Sequence, residues 1–207
     1  MATIAPAQPT VVPAPAVPPG WVPQSLYRLT LEQYEAMVEA GILTTRDKVH
    51  LINGYLVKKM THKPPHATAD ILCGDELDRV IPPGWYVRPG KPVRLPNVSS
   101  EPEPDRSVVR GSVRDYASGH PGPPDIALIV EVSKSSLDDD RNQAEIYGAA
   151  GIPFYWIINL VDGQVEVYSN PGPTGYGTLE VLAPPHVLPV VIDGVKVGEI
   201  AVADILP

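Results

Sequence analysis

The sequence predicts an α/β domain, a mixed β-sheet flanked by helices, with an N-terminal helix and hairpin and short C-terminal strands. Three observations carry this expectation. The run Ile126-Ala-Leu-Ile-Val-Glu-Val132 is apolar nearly throughout, as a central strand covered on both faces must be. The order helix, three strands, helix, strand along residues 66–160 places a mixed sheet between helices. The 207 residues are 43% hydrophobic and 19% charged, enough apolar material for a sizeable core.

Residues 1–25 read as a disordered proline-rich tail, because seven prolines within the first 24 residues remove backbone donors and fix φ. The folded domain is expected over 26–207. Thr30-Leu-Glu-Gln33 is a capping box at a helix start, Leu31, Tyr34, Met37 and Val38 form an apolar stripe, and Gly41 suits the position after the helix end. Two strand-like runs around Asn53-Gly54 signal a hairpin over Lys48–Val57. A helix from about His66 to Val80 follows Pro64-Pro65. Extended segments are expected at Trp85–Arg88, Pro104–Arg110 and Ile126–Val132. Asp138–Ala150 reads as a helix ending at Gly151, and Phe154–Leu160 as a buried strand that Asp162-Gly163 turns into Gln164–Tyr168. The remainder suggests short strands and loops capping the sheet.

Several function classes are disfavoured by composition. Cys73 is the sole cysteine, so neither an intrachain disulfide nor a thiolate zinc site can form, and its helical context reads as a small buried thiol. No apolar run is long enough for a membrane span, and the N-terminus lacks the pattern of a secretory signal, so a cytoplasmic protein with no membrane partner is expected. The net charge of −8 opposes general polyanion binding. Locally the balance reverses: seven basic residues face three acids between Arg79 and Arg114, and Lys58, Lys59 and Lys63 form a second group.

The chemistry centres on carboxylates. Cleavage of a phosphodiester by a bound metal needs acidic side chains converging from adjacent strands on a hard divalent cation. Asp105 and Asp125 each follow a proline ahead of an extended segment. Asp125 and Glu131 on one strand would stand roughly 20 Å apart at about 3.3 Å per residue, too far to share an ion. Asp105 begins a different strand and can meet Glu131 sideways, which leaves Asp125 as a turn residue. Glu131 stands inside a run otherwise fit for burial, where a charge must be paired or metal-bound. Its alternatives are a salt bridge to a core arginine or a strand end reaching water. Asp138-Asp-Asp140 reads as compensation of a helix dipole, and Trp156 as core.

The stretches Tyr27-Arg-Leu-Thr-Leu-Glu-Gln-Tyr34, Val49-His-Leu-Ile-Asn-Gly54, Pro64-Pro-His66, Glu103-Pro-Asp105, Val130-Glu-Val132 and Ala150-Gly-Ile-Pro-Phe-Tyr-Trp156 occur in this order. From about Tyr27 to its end the chain resembles the Uma-type restriction endonucleases, a branch of the PD-(D/E)XK superfamily. The resemblance implies a restriction-endonuclease-like fold, Mg²⁺ (or Mn²⁺) dependence, DNA as partner, and Asp105 and Glu131 as catalytic, metal-binding carboxylates. Two departures accompany it. His50 stands where such sequences carry glutamate. Counting back four residues from Tyr147, where a lysine is usual, gives Gln143, an amide that can orient a water but carries no charge.

His50 is open to two readings, a neutral metal ligand or a surface hairpin histidine, the second favoured. His66 could touch phosphate or serve the helix start. Strand alternation puts Lys134 on the face opposite Glu131, so it could assist only if the strand ends before it. Two functions stay open: a metal-dependent DNA endonuclease weakened by the replacements, and a degenerate nuclease fold acting as a nucleic-acid or protein binding module. A homodimer is compatible with either.

Overall fold

The computed structural model describes residues 26–59 and 64–207. The proline-rich tail expected over 1–25 lies outside the described residues, as does Lys63. The first helix, α1 (Leu31–Glu39), starts at the expected capping box: the Gln33 N–H donates to the Thr30 hydroxyl at 3.2 Å and the Thr30 N–H to the Gln33 side chain at 2.9 Å. Leu31 and Tyr34 pack against Leu51, but Val38 is exposed, so the stripe that α1 buries is narrower than its sequence pattern suggests. A helix of this length rests on one small patch.

Strands β1 (Val49–Ile52) and β2 (Tyr55–Lys58) form the expected hairpin. Asn53 and Gly54 have φ of +49° and +80°, the left-handed pair that a two-residue primed turn demands. The Glu101 N–H donates to the Leu51 carbonyl and the Asn53 N–H to the Ser100 hydroxyl, which docks the hairpin beside the segment leading into Asp105.

The main sheet has six strands. In chain order they are β3 (Trp85–Pro89), β4 (Arg106–Arg110), β5 (Ile126–Ser133), β6 (Phe154–Asn159), β7 (Gln164–Gly172) and β8 (Gly175–Leu182), which is also their order across the sheet. Strands β5 and β6 run parallel, joined by helix α3 (Leu137–Ala150), since a parallel pair needs a long crossover. The other neighbouring pairs of this sheet are antiparallel. Helix α2 (Pro64–Val80) precedes β3. The last strands, β9 (Val187–Ile192) and β10 (Val195–Ala201), make a separate hairpin.

The C-terminal expectation needs correction for one strand. Strand β8 does not cap the sheet but extends it as an edge. The β9–β10 hairpin does cover the sheet, beside α2, burying Leu188, Val190, Ile192 and Ile200 with Ala69, Cys73 and Leu77 of the helix and Val130, Trp156 and Val165 of the sheet. The sheet thus separates two cores. On β5, Leu128, Val130 and Val132 point into the α2 side, while Ile129 joins Tyr147, Tyr155 and Ile157 on the α3 side. Period-2 alternation puts Glu131 on that same α3 side. Helix α3 can lie close to the sheet because Gly148 faces Gly175, where an added Cβ would come within 2.7 Å of the Gly175 Cα.

Candidate active site

Arg106 pairs with Val130 across the antiparallel β4–β5 ladder, so Asp105, one residue ahead of β4, comes opposite Glu131. The two residues interlock. The Asp105 N–H donates to Glu131 Oε2 at 3.0 Å, and the Val132 N–H donates to Asp105 Oδ2 at 2.8 Å. His66, in the first turn of α2, places Nε2 3.0 Å from Asp105 Oδ2. From the opposite layer, the Tyr147 hydroxyl on α3 donates to Glu131 Oε1 at 3.2 Å. Both helices begin near this end of the sheet, so their N-terminal dipoles offer partial positive charge to anions there.

The electrostatics are those of crowded, buried carboxyls that hold on to protons. Burial pushes the Glu131 carboxyl well above the usual range, and the nearby Asp105 and Asp140 push it further than the Asp105 N–H and Tyr147 hydroxyl can lower it. Asp140 is raised to about 6 by burial, with Asp105 adding to the effect against the donors Ser136 and Ser133. His66 moves the other way in charge terms: burial alone would depress it, but the hydrogen bond and charge of Asp105 outweigh burial and raise it. Among the described residues no cationic side chain forms an ion pair with Glu131.

A cleft of about 720 Å³ opens over this pair. All six residues singled out in the sequence line it: Asp105, Glu131, Gln143, His50, His66 and Lys134. His50 departs from the favoured expectation, and Lys134 meets the condition set for it. His50 is a half-buried wall residue rather than a surface one; burial, then the charge of Lys59, lowers it to about 4, and its Nδ1 has no partner among the described residues. Strand β5 ends at Ser133, so Lys134 leaves the alternation and reaches the cleft. Gln143 sits on α3, partly exposed.

Three contributors escaped the sequence reading. Asp140 was grouped with its neighbours as dipole compensation, which fits the exposed Asp138 and Asp139 only; Asp140 is buried and lines the cleft. Its signal was Ser136, one turn earlier, whose hydroxyl donates to Asp140 Oδ2 at 2.7 Å. Glu103 stands in the Glu103-Pro-Asp105 stretch and Tyr147 is the residue from which position 143 is counted, and the sequence assigns neither a role. Glu103 pairs with Lys59 at 2.5 Å in the wall. Asp125 accepts from the Gly122 N–H in a turn, and Trp156 is core, both as expected.

Four of the seven basic residues in the stretch Arg79–Arg114 are taken up by ion pairs. Arg79 pairs with Glu76, Arg94 with Glu35, Arg106 with Asp70 and Arg110 with Asp193, on separate elements. Positive charge in the cleft comes instead from Lys58, Lys59 and Lys134.

An oxygen-only pair of carboxylates suits a hard divalent cation. Among the described residues no group of three or more His, Cys, Asp or Glu side chains has the arrangement of a metal cage. An ion would therefore take Asp105 and Glu131 and complete its shell with water or phosphate oxygens, as Mg²⁺ usually does. The donor set fits the ion on those terms.

Known proteins can be set beside this geometry. The fold is similar to a crystal structure described as a "putative nuclease" from Anabaena variabilis, with a TM-score of 0.63 and 18% identity over 86% of this chain and 97% of that one. No curated protein matches the chain. The Uma2 family, described as "Putative restriction endonuclease", matches over residues 31–202, most of the chain, and covers every cleft residue named above. The chain belongs to the Uma2 family.

Proposed function

We propose that the chain is a metal-dependent endodeoxyribonuclease, with Asp105 and Glu131 holding Mg²⁺ or Mn²⁺. One observation carries this reading: the interlocked Asp105–Glu131 pair lies in a cleft, and the buried Glu131 has no cationic partner among the described residues. When bound, the ion polarises the scissile phosphate and acidifies a water. The chain's own residues do the rest. The Val132 N–H and His66 fix Asp105, while Tyr147 and the Asp105 N–H fix Glu131. Lys58 and Lys134 neutralise backbone phosphates along the walls, and the Gln143 amide orients water in the cleft. A cytoplasmic setting with DNA as the macromolecular partner belongs to the same reading. No helix among the described residues is long and apolar enough to cross a membrane.

The test is cleavage of supercoiled plasmid with Mg²⁺ or Mn²⁺. The unmodified chain should nick it, and Asp105→Asn or Glu131→Gln should abolish nicking while the melting transition persists. Gln143, an amide where a lysine is usual, favours a second reading, a binding module on a nuclease fold. A protein that binds Mn²⁺ yet leaves plasmid intact, even as Gln143→Lys, would select that alternative.

A further inference from the structure

Hydrolysis requires a group that takes the proton of the attacking water, and with an amide at position 143 the obvious nitrogen is missing. Asp140 stands one turn before Gln143 on α3, and both line the cleft. Its carboxylate is 6% exposed, far less than Asp138 and Asp139 beside it, although all three share the first helical turn. Ser136 holds Oδ2 at 2.7 Å, and the Tyr155 hydroxyl holds the Asp140 carbonyl at 2.9 Å, so the residue is fixed from both ends. Among the described residues Asp140 forms no three-residue metal cage with Asp105 and Glu131, although all three line the cleft.

We propose that Asp140 is the proton acceptor for the attacking water. This role rests on the nuclease reading. The water oxygen forms a bond to phosphorus while its proton passes to the Asp140 carboxylate. One ester P–O bond breaks, and the departing alkoxide takes a proton from solvent. Gln143 orients the water and Asp140 deprotonates it, a division of labour between two residues one turn apart. The charged and titratable groups around Asp140 are Asp105 before β4, Glu131 on β5, Asp139 on its own helix, His66 on α2, and the buried Tyr147 and Tyr155. Burial first, and then the charges of Asp105 and Asp139, hold its proton affinity near the neutral range, where a general base works best.

The experiment pairs plasmid cleavage with Mn²⁺ titration calorimetry on the full chain. Asp140→Asn should cut at least about a hundredfold more slowly even at Mn²⁺ concentrations that saturate the site in the calorimeter, since a residue outside the metal shell can weaken the ion about 10–100-fold without removing it. Asp140→Ala should regain cleavage when formate is added, because a small carboxylate can fill the vacated space; a purely structural residue would show no such rescue. Asp140→Glu should retain part of the rate. Unchanged cleavage in Asp140→Asn at saturating Mn²⁺, abolished Mn²⁺ binding, or no formate rescue would each overturn the role. So would loss of the melting transition in both the Asn and Ala variants, which would make Asp140 structural. An unmodified chain that cuts no DNA would overturn the nuclease reading and this role together.

Discussion

Glu131 and Glu166 stand in one row across the main sheet. Glu131 on β5 pairs with Ile157 on β6, and Ile157 pairs in turn with Glu166 on β7. Both glutamates are buried, at 8% and 2% exposure. Their surroundings differ completely. Glu166 receives two hydrogen bonds from the Arg141 guanidinium, at 2.5 and 3.0 Å, and others from Asn159 and Tyr168. Burial opposes its ionisation, yet these donors prevail and lower its pKa. Glu131 has one backbone N–H, one tyrosine hydroxyl and two carboxylates for company, and its pKa rises. A buried acid is thus no sign of function in itself. The sign is a buried acid with no cation among the described residues, and adjacent residues on α3 divide accordingly: Arg141 serves Glu166 while Asp140 turns into the cleft.

The largest effect expected from this contrast is catalytic. Glu131→Gln should reduce Mg²⁺-dependent cleavage more than a hundredfold, beyond the 10–100-fold typical of outer-shell changes. Glu166→Gln should leave the rate of the folded protein within a few-fold, since it touches nothing in the cleft. Comparable losses in both would erase the distinction. The next effect is on stability. Arg141→Ala strands a buried carboxylate and should cost about 2 kcal/mol or more in urea unfolding; the figure stays below that of a fully buried pair because the guanidinium is partly solvated. Glu131→Gln should instead stabilise the metal-free protein at neutral pH, on the order of 1 kcal/mol, by removing the cost of holding a proton on a buried carboxyl. Opposite signs for the two changes are the signature.

Protonation sharpens the same contrast. Asp140 and Glu131 have raised folded-state pKa values, so the stability they contribute is fully present below the unfolded carboxylate pKa and is lost as pH rises, through about 6 for Asp140. His50 and Glu166 are lowered. The contribution of His50 is present above about 6.5 and lost as pH falls through about 4; that of Glu166 is lost at still lower proton affinity than a free glutamate shows. Thermal melts of the metal-free chain between pH 5 and 7.5 should therefore lose stability toward the alkaline end, and Asp140→Asn should flatten that slope. The smallest expected effect is a gain: Gln143→Lys should raise cleavage about tenfold by adding positive charge beside the developing phosphorane. An unchanged rate would place position 143 outside the reaction path.

Much of this was legible in the residues. The capping box at Thr30, the left-handed turn at Asn53-Gly54 and the apolar run around Glu131 each rest on local physics, and each element forms as read. Asp105 was separable from Asp125 by strand arithmetic alone. What was hidden depended on tertiary direction. Asp138, Asp139 and Asp140 are identical in type and adjacent, and only the packing of α3 on the sheet decides which one turns inward. His50 is a polar hairpin residue until the cleft wall closes around it. Val38 extends the helical stripe in sequence, but the patch that α1 covers ends before reaching it. The partner of Glu166 was equally unforeseeable, because Arg141 lies 25 positions away on a different element.

Mn²⁺ binding, followed by electron paramagnetic resonance on the unmodified chain and on Glu131→Gln, Asp105→Asn and Glu166→Gln, tests the central claim most directly. The account predicts one tightly bound ion for the unmodified protein and for Glu166→Gln, and none for Glu131→Gln or Asp105→Asn while all four remain folded. Equal Mn²⁺ binding by Glu131→Gln and the unmodified chain would contradict it.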